Sequence, residues 1–144
     1  MKTLSLLLFS ALLFSNATAQ HMPPADHPLI GEWKLVFQRS VFETHVDTTL
    51  AKGDHFPGGD QTKILTQTHF AFGRQSDDGE NVTAGGGRYR IEGNTYIEMI
   101  EYHTSGPLVG TEIPFSWEIK NGMWYHQGDF SNFRLEEVWV RINE

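Results

Sequence analysis

Asn121-Gly122 stands between two runs that alternate apolar and polar residues, and a two-residue turn of this type fixes how the strands on either side must pair. Lys120 then lies opposite Met123, Ile119 opposite Trp124 and Trp117 opposite His126. Paired residues share a face, and facing alternates along each strand. One face therefore carries Ile113, Phe115, Trp117, Ile119, Trp124 and His126, and the other Glu112, Glu118 and Lys120. The first face must point into a core. A chain holding such a hairpin is committed to an antiparallel sheet with one buried side.

Gly93-Asn94 repeats the signal upstream. It pairs Ile91 with Tyr96 and Tyr89 with Glu98, which turns Tyr89, Ile91, Tyr96, Glu98, Ile100 and Tyr102 inward. Arg88, Arg90, Glu92 and Glu101 face out, together with Ile97 and Met99. Seven strands are expected in all, near 31–38, 63–74, 82–92, 95–104, 111–120, 123–129 and 134–142. Over 63–74 the expected interior set is Ile64, Thr66, Thr68, Phe70 and Phe72, with Lys63, Leu65, Gln67, His69 and Ala71 outside. The last strand offers two sets, Leu135, Glu137, Trp139 and Arg141 against Glu136, Val138, Val140 and Ile142. Between 39 and 62, Ser40 to Val46 is a further short strand candidate and Gly53 to Asp60 a loop. Long connections of this kind often serve function. A small antiparallel sheet removes its exposed edges by closing on itself, and about eight strands enclose room for one small ligand. The expected fold is all-β, a single antiparallel up-and-down β-barrel of about eight strands; an open sandwich is the alternative.

The first nineteen residues read differently. Lys2 precedes an apolar run from Leu4 to Phe14, and Ala17-Thr18-Ala19 supplies small residues at the positions a signal peptidase reads. The run is shorter than the ~20 apolar residues of a spanning helix. Residues 1–19 are thus expected as a signal peptide, 20–28 as a flexible leader rich in proline, and 29–144 as one barrel domain. The protein is expected to be secreted or periplasmic, without a membrane anchor. It has no cysteine, so the exported domain must stand on its core alone. The formal charge is -7, and loss of Lys2 makes it one unit more negative, which disfavours nucleic acid and anionic membrane as partners.

Gly31-Glu32-Trp33 opens the first strand. Gly-x-Trp in this place resembles the signature of the lipocalins and the related fatty-acid-binding barrels. The resemblance implies that Trp33 closes one end of the barrel, with a basic residue of the last strand packed across it. Arg141 is the position to do so, and this favours its alternation set as the inward one. The segments Lys63-Ile64-Leu65-Thr66-Gln67-Thr68-His69-Phe70, Gly93-Asn94-Thr95-Tyr96, Glu101-Tyr102-His103 and Leu135-Glu136-Glu137-Val138-Trp139 resemble a group of small exported lipocalin-like proteins of unassigned function.

Inward Glu98 is the most informative single residue, since a carboxylate on an aromatic face must find partners or take up a proton. It reads either as part of a buried polar network or as a ligand-orienting group in an apolar pocket. The expected ligand-binding residues are Phe70, Phe72, Tyr89, Glu98, Tyr102, Phe115, Trp117, His126, Glu137 and Trp139. Glu98 with His126 is the alternative catalytic pair, as general acid and base. No nucleophile motif accompanies them. The histidines at 21, 27, 45 and 55 and the acids Asp47 and Asp54 form no spaced ligand set, so no metal and no cofactor is expected. Asp77-Asp78-Gly79-Glu80 reads as a turn, and Gly85-Gly86-Gly87 as a bulge or close packing. The leading functional reading is an exported binding protein for a small, largely apolar molecule. The alternatives are a barrel enzyme (isomerase, cyclase or hydrolase) and a protein-interaction module that binds through its outer strands or the 39–62 connection, with an exposed apolar patch around Ile97 and Met99. Nothing in the sequence sets an oligomeric state. Intact-mass analysis of the protein recovered outside the cytoplasm is expected to place its first residue at Gln20; a chain that keeps residues 1–19 would refute the cleaved signal.

Overall fold

Both hairpins expected from their turns are present in the computed structural model, which describes residues 22–142. The expected signal peptide, 1–19, lies outside the described residues. Nine strands follow in order: β1 (Gly31–Phe42), β2 (Val46–Leu50), β3 (Gln61–Leu65), β4 (His69–Gln75), β5 (Val82–Glu92), β6 (Thr95–His103), β7 (Glu112–Lys120), β8 (Met123–Asp129) and β9 (Phe133–Arg141). Asn121 takes a φ of 52°, and Lys120, Ile119 and Trp117 meet Met123, Trp124 and His126 as the turn requires. Ile91–Tyr96 and Tyr89–Glu98 also pair as expected.

All neighbouring strands run antiparallel, and β1 also pairs with β9, closing the sheet. On its other edge β1 is shared. Gly31 to Lys34 pair with β3, and Phe37 to Val41 pair with β2. The result is a closed antiparallel barrel of eight strands, with β2 as an extra piece on the far half of β1. The stretch 39–62 thus holds the end of β1, all of β2, and a loop whose Phe56 is buried.

The expected strand 63–74 is two strands. Thr66 breaks it: its hydroxyl accepts from the backbone N–H of His69 at 3.0 Å, and Thr66 N–H donates to His69 O at 2.8 Å. The local turn shifts the phase of everything before it. Lys63 and Leu65 therefore point inward, while Ile64 is 44% exposed and Thr66 and Thr68 lie in the turn. Phe70 and Phe72, after the turn, face inward as expected. A second phase change removes Tyr102 from the interior. Gly87 pairs with Ile100 but Gly86 pairs with Tyr102, so β6 carries an extra residue there. Tyr102 is 54% exposed, and His103 takes the inward place against Phe72, with ring centroids 5.6 Å apart. Ile119, expected inside, sits at the barrel's end and is exposed.

One end is sealed. Trp33 is buried, its indole N–H donates to Leu29 O at 2.9 Å, and the Arg141 guanidinium lies 4.3 Å from its ring. Arg141 also donates to Ile30 O and Pro28 O, at 2.9 and 2.6 Å. A side chain on Gly31 would run into the Arg141 guanidinium, which accounts for the glycine of the Gly-x-Trp motif. The final strand turns Glu137 and Trp139 inward. Of the expected leader, the described part from Met22 makes turns over this end: Gln67 Nε2 donates to Pro23 O at 3.1 Å, and His27 packs on Trp117.

The apolar outer patch expected around Ile97 and Met99 is not open. Arg90 on β5 reaches across β6 to Glu112 on β7, with Nη1–Oε1 at 3.0 Å and Nη2–Oε2 at 2.9 Å, and also bonds Glu92. Ile97 lies beneath and is only 6% exposed. Of the expected patch, Met99 alone stays partly exposed. At the β6 bulge, a Cβ on Gly87 would collide with Met99 O and Glu101 N. Gly87→Ala is expected to destabilise the fold by about 1–3 kcal/mol in chemical denaturation. Gly73→Ala, whose Cβ would meet open space, should change it by less than ~0.5 kcal/mol.

Candidate functional site

The interior of the barrel is divided. Toward the sealed end, Trp33, Leu35, Leu65, Tyr89, Tyr96 and Trp124 are buried and close-packed. Toward the other end a cavity of about 270 Å³ remains. Ile100, Ile113, Phe115 and Leu135 form its walls, and the partly exposed Phe42, Leu108, Phe130 and Phe133 surround its mouth. Its polar groups are Lys63, Glu98, Glu137, Gln61, Gln38 and Ser40, with Arg74, Thr83 and His103 nearer the mouth. A broader depression, near 500 Å³, lies outside the barrel over Ser116, Glu118, Tyr125 and Gln127, and His126 and Glu137 also border it.

Two buried pairs form the boundary between packed core and cavity. Lys63 Nζ donates to Glu98 Oε1 at 2.9 Å, and Tyr96 Oη donates to the same oxygen at 3.0 Å. Rings of Phe70, Phe72, Tyr96, Phe115, Trp124 and Trp139 surround the ammonium at 5.0 to 6.0 Å. Such faces stabilise a cation. In the second pair His126 Nε2 lies 2.5 Å from Glu137 Oε2, and Trp139 Nε1 donates to that oxygen at 3.2 Å.

Burial drives His126 below its ordinary value near 6.5, and the Lys63 charge lowers it further. Burial alone would raise Glu137, but the hydrogen bond from His126 and the charge of Lys63 hold it below the usual carboxylate range. The consistent state is a neutral His126 donating Nε2–H to a Glu137 carboxylate. Nδ1 is then a bare acceptor, without a hydrogen-bond partner among the described residues. Phe115 stacks on the imidazole, 4.6 Å between centroids, and His126 does not line the interior cavity.

Of the expected ligand-binding residues, Phe72, Glu98, Phe115 and Glu137 line the cavity. Phe70 and Trp139 stand behind it around Lys63. Tyr89 belongs to the packed half; its hydroxyl donates to Thr66 O at 2.7 Å, and burial raises its pKa to about 12. Trp117 is half-buried under His27, and Tyr102 is outside. The carboxylate bonded to His126 is Glu137, not Glu98, whose partners are Lys63 and Tyr96. Lys63 escaped the sequence reading, and the Thr66 turn that hides it is a local signal that marks it in retrospect. Among the described residues, no group of three or more His, Asp and Glu side chains is placed to hold a metal ion.

No family model matches the chain, and no curated protein matches it significantly. Solved structures do resemble it. A lipocalin-like protein from Bacteroides uniformis is 12% identical with a TM-score of 0.51, over 80% of this chain and 99% of that one. An uncharacterized protein from Bacteroides eggerthii is 10% identical with a TM-score of 0.48, over 78% and 98%. A point mutant of the fluorescent protein UnaG is 11% identical with a TM-score of 0.42, over 81% and 98%. The first likeness is one of fold: this chain is a lipocalin-like, closed, eight-stranded antiparallel barrel.

The two lowered pKa values set a sign for acid stability. An unfolded chain takes up protons at His126 below pH ~6.5 while the folded one does not, so stability falls as pH drops. Glu137 adds to the loss in the carboxylate range, because its folded pKa lies below its unfolded one. Denaturant midpoints between pH 7.5 and 5 are expected to show a His126 contribution of about 1.4 kcal/mol per pH unit below ~6.5, down to the folded-state value. His126→Gln should remove that contribution; an unchanged slope would refute a neutral buried imidazole.

Proposed function

We propose that this protein is an exported carrier or sensor that takes one small, largely apolar molecule into the barrel cavity and holds its polar end against the Lys63–Glu98–Glu137 floor. The observation that carries the reading is the cavity of about 270 Å³ between apolar walls and buried charged groups. Ligand sites are built this way, with apolar surface for affinity and a few fixed polar groups for orientation. The volume equals about nine waters at ~30 Å³ each, so the ligand is small. An apolar-walled cavity is unfavourable to fill with that much water, which leaves free energy to be gained by a ligand. The export signal over residues 1–19 and the absence of a lipid-bearing cysteine favour a freely diffusing protein outside the cytoplasm.

The test compares the wild type with Leu135→Trp, a substitution that fills the cavity from its wall. Both proteins are purified natively from the source, denatured, and their organic extracts compared by mass spectrometry. A molecule released by the wild type and missing from the variant is the expected result. Repeated recovery of an empty wild type would overturn the reading.

A further inference from the structure

The floor of this cavity is not electrically balanced, and a further inference rests on the ligand-binding reading above. Two carboxylates stand there, Glu98 and Glu137, 3% and 6% exposed, with one ammonium between them. Each carboxylate commits one oxygen to the protein. Glu98 Oε1 accepts from Lys63 and Tyr96, and Glu137 Oε2 accepts from His126 and Trp139. Glu98 Oε2 and Glu137 Oε1 accept no hydrogen bond from a described residue. Both side chains line the same cavity.

His126 does not supply the missing charge, since burial holds it neutral. His103, on β6 nearer the mouth, accepts from Ser105 N–H at Nδ1, so its other nitrogen carries the ring proton. Arg74 is the remaining cation of the lining, and it lies partly exposed at the mouth where solvent screens it. A buried excess of negative charge disfavours the folded state unless a cation neutralises it. The surroundings already accept one ammonium among six aromatic rings, and two of these, Phe72 and Phe115, also line the cavity.

We propose that the ligand is a small organic cation: an amine with one positive charge and an aromatic-sized apolar body. Its ammonium donates to the free oxygens of Glu98 and Glu137, and its body lies against Ile100, Ile113 and Phe115. An anion would meet two carboxylates at the floor, and a neutral polar group would leave the excess charge uncompensated. Lys63 fixes Glu98 in place and offsets one of the two charges, so the site takes a monocation.

Three probes of one shape and different charge test this by calorimetric titration of the mature chain: phenethylamine, phenethyl alcohol and phenylacetate. The amine is expected to bind, the alcohol at least ~10-fold more weakly, and phenylacetate the weakest, as a charge-assisted hydrogen bond exceeds a neutral one. Glu137→Gln should lower amine affinity by about tenfold or more and leave the alcohol unchanged. Lys63→Met should raise amine affinity. Melting curves check that each variant folds, and the wild-type comparison stands without them. Tighter or equal binding of the alcohol or of phenylacetate overturns the cation while leaving a ligand-binding barrel. So does native extraction that yields a molecule bearing no positive charge. If no probe binds and extraction is empty, both readings fall.

Discussion

Strand β1 is laddered to β9 from Trp33–Arg141 to Phe42–Phe133, and this pairing turns a sheet with two free edges into a barrel with an interior. The ladder is interrupted once, between Leu35 and Phe37. Before that irregularity Trp33 and Leu35 face inward and pack tightly. After it the inward residues are Gln38, Ser40 and Phe42, and Phe37 turns to the outside face beside Val138. One extra residue thus changes what the barrel contains. Strict alternation would carry Phe37, Arg39 and Val41 inward. The bulge turns Gln38, Ser40 and Phe42 inward instead, and these line the cavity.

The charged groups at the boundary are not explained by stability. Removing ions from water costs several kcal/mol each, and attraction within a buried pair seldom returns much more than that. A core of this size gains more from apolar side chains of equal volume. Loss of one partner is another matter, since a lone buried charge destabilises by about 3–5 kcal/mol. The Lys63–Glu98 pair is therefore costly to break and adds little net stability. Tyr96 and Trp139 hold the carboxylates in fixed positions, so little reorganisation is needed when a partner arrives.

Much of this was legible in the sequence wherever a turn pinned the phase. Asn121-Gly122 and Gly93-Asn94 located both hairpins to the residue, and Glu98, Phe115 and His126 followed from them. The misplaced facings of Lys63, Ile64, Leu65 and Tyr102 have one cause, a phase change that apolar alternation does not announce. Over 61–75, alternation fits two registers, and the Thr66 hydroxyl decides between them by capping a turn. Lys63 and Leu65 enter the barrel by that route, though a lysine reads as solvent-facing by default. Tyr102 leaves it through the bulge at Gly86 and Gly87. In both places the deciding contact is local backbone geometry, and hydropathy is silent about it. The partnership of Lys63 with Glu98 was hidden for a further reason: it joins residues 35 positions apart on strands that are not neighbours.

The two ends of the barrel differ in the connections that make them. The sealed end is closed by the short links after β3, β5 and β7, and by the segment before β1 held under Arg141. The other end is surrounded by the longer connections 51–60, 76–81 and 104–111, together with the short links 43–45 and 130–132. Longer loops with fewer buried contacts open at lower free-energy cost than short turns tied to a core. Exchange between the cavity and solvent therefore belongs to the mouth beside Leu108, Phe130 and Phe133. The charged floor lies deep, against the packed half, so under the proposed function a ligand would meet aromatic side chains first and ions last. Entry in that order requires the molecule to shed water from its apolar body before its polar end finds a partner. On the proposed reading, selection by shape at the mouth would precede selection by charge at Glu98 and Glu137, and a strongly hydrated ion lacking an apolar body would fail at the first step.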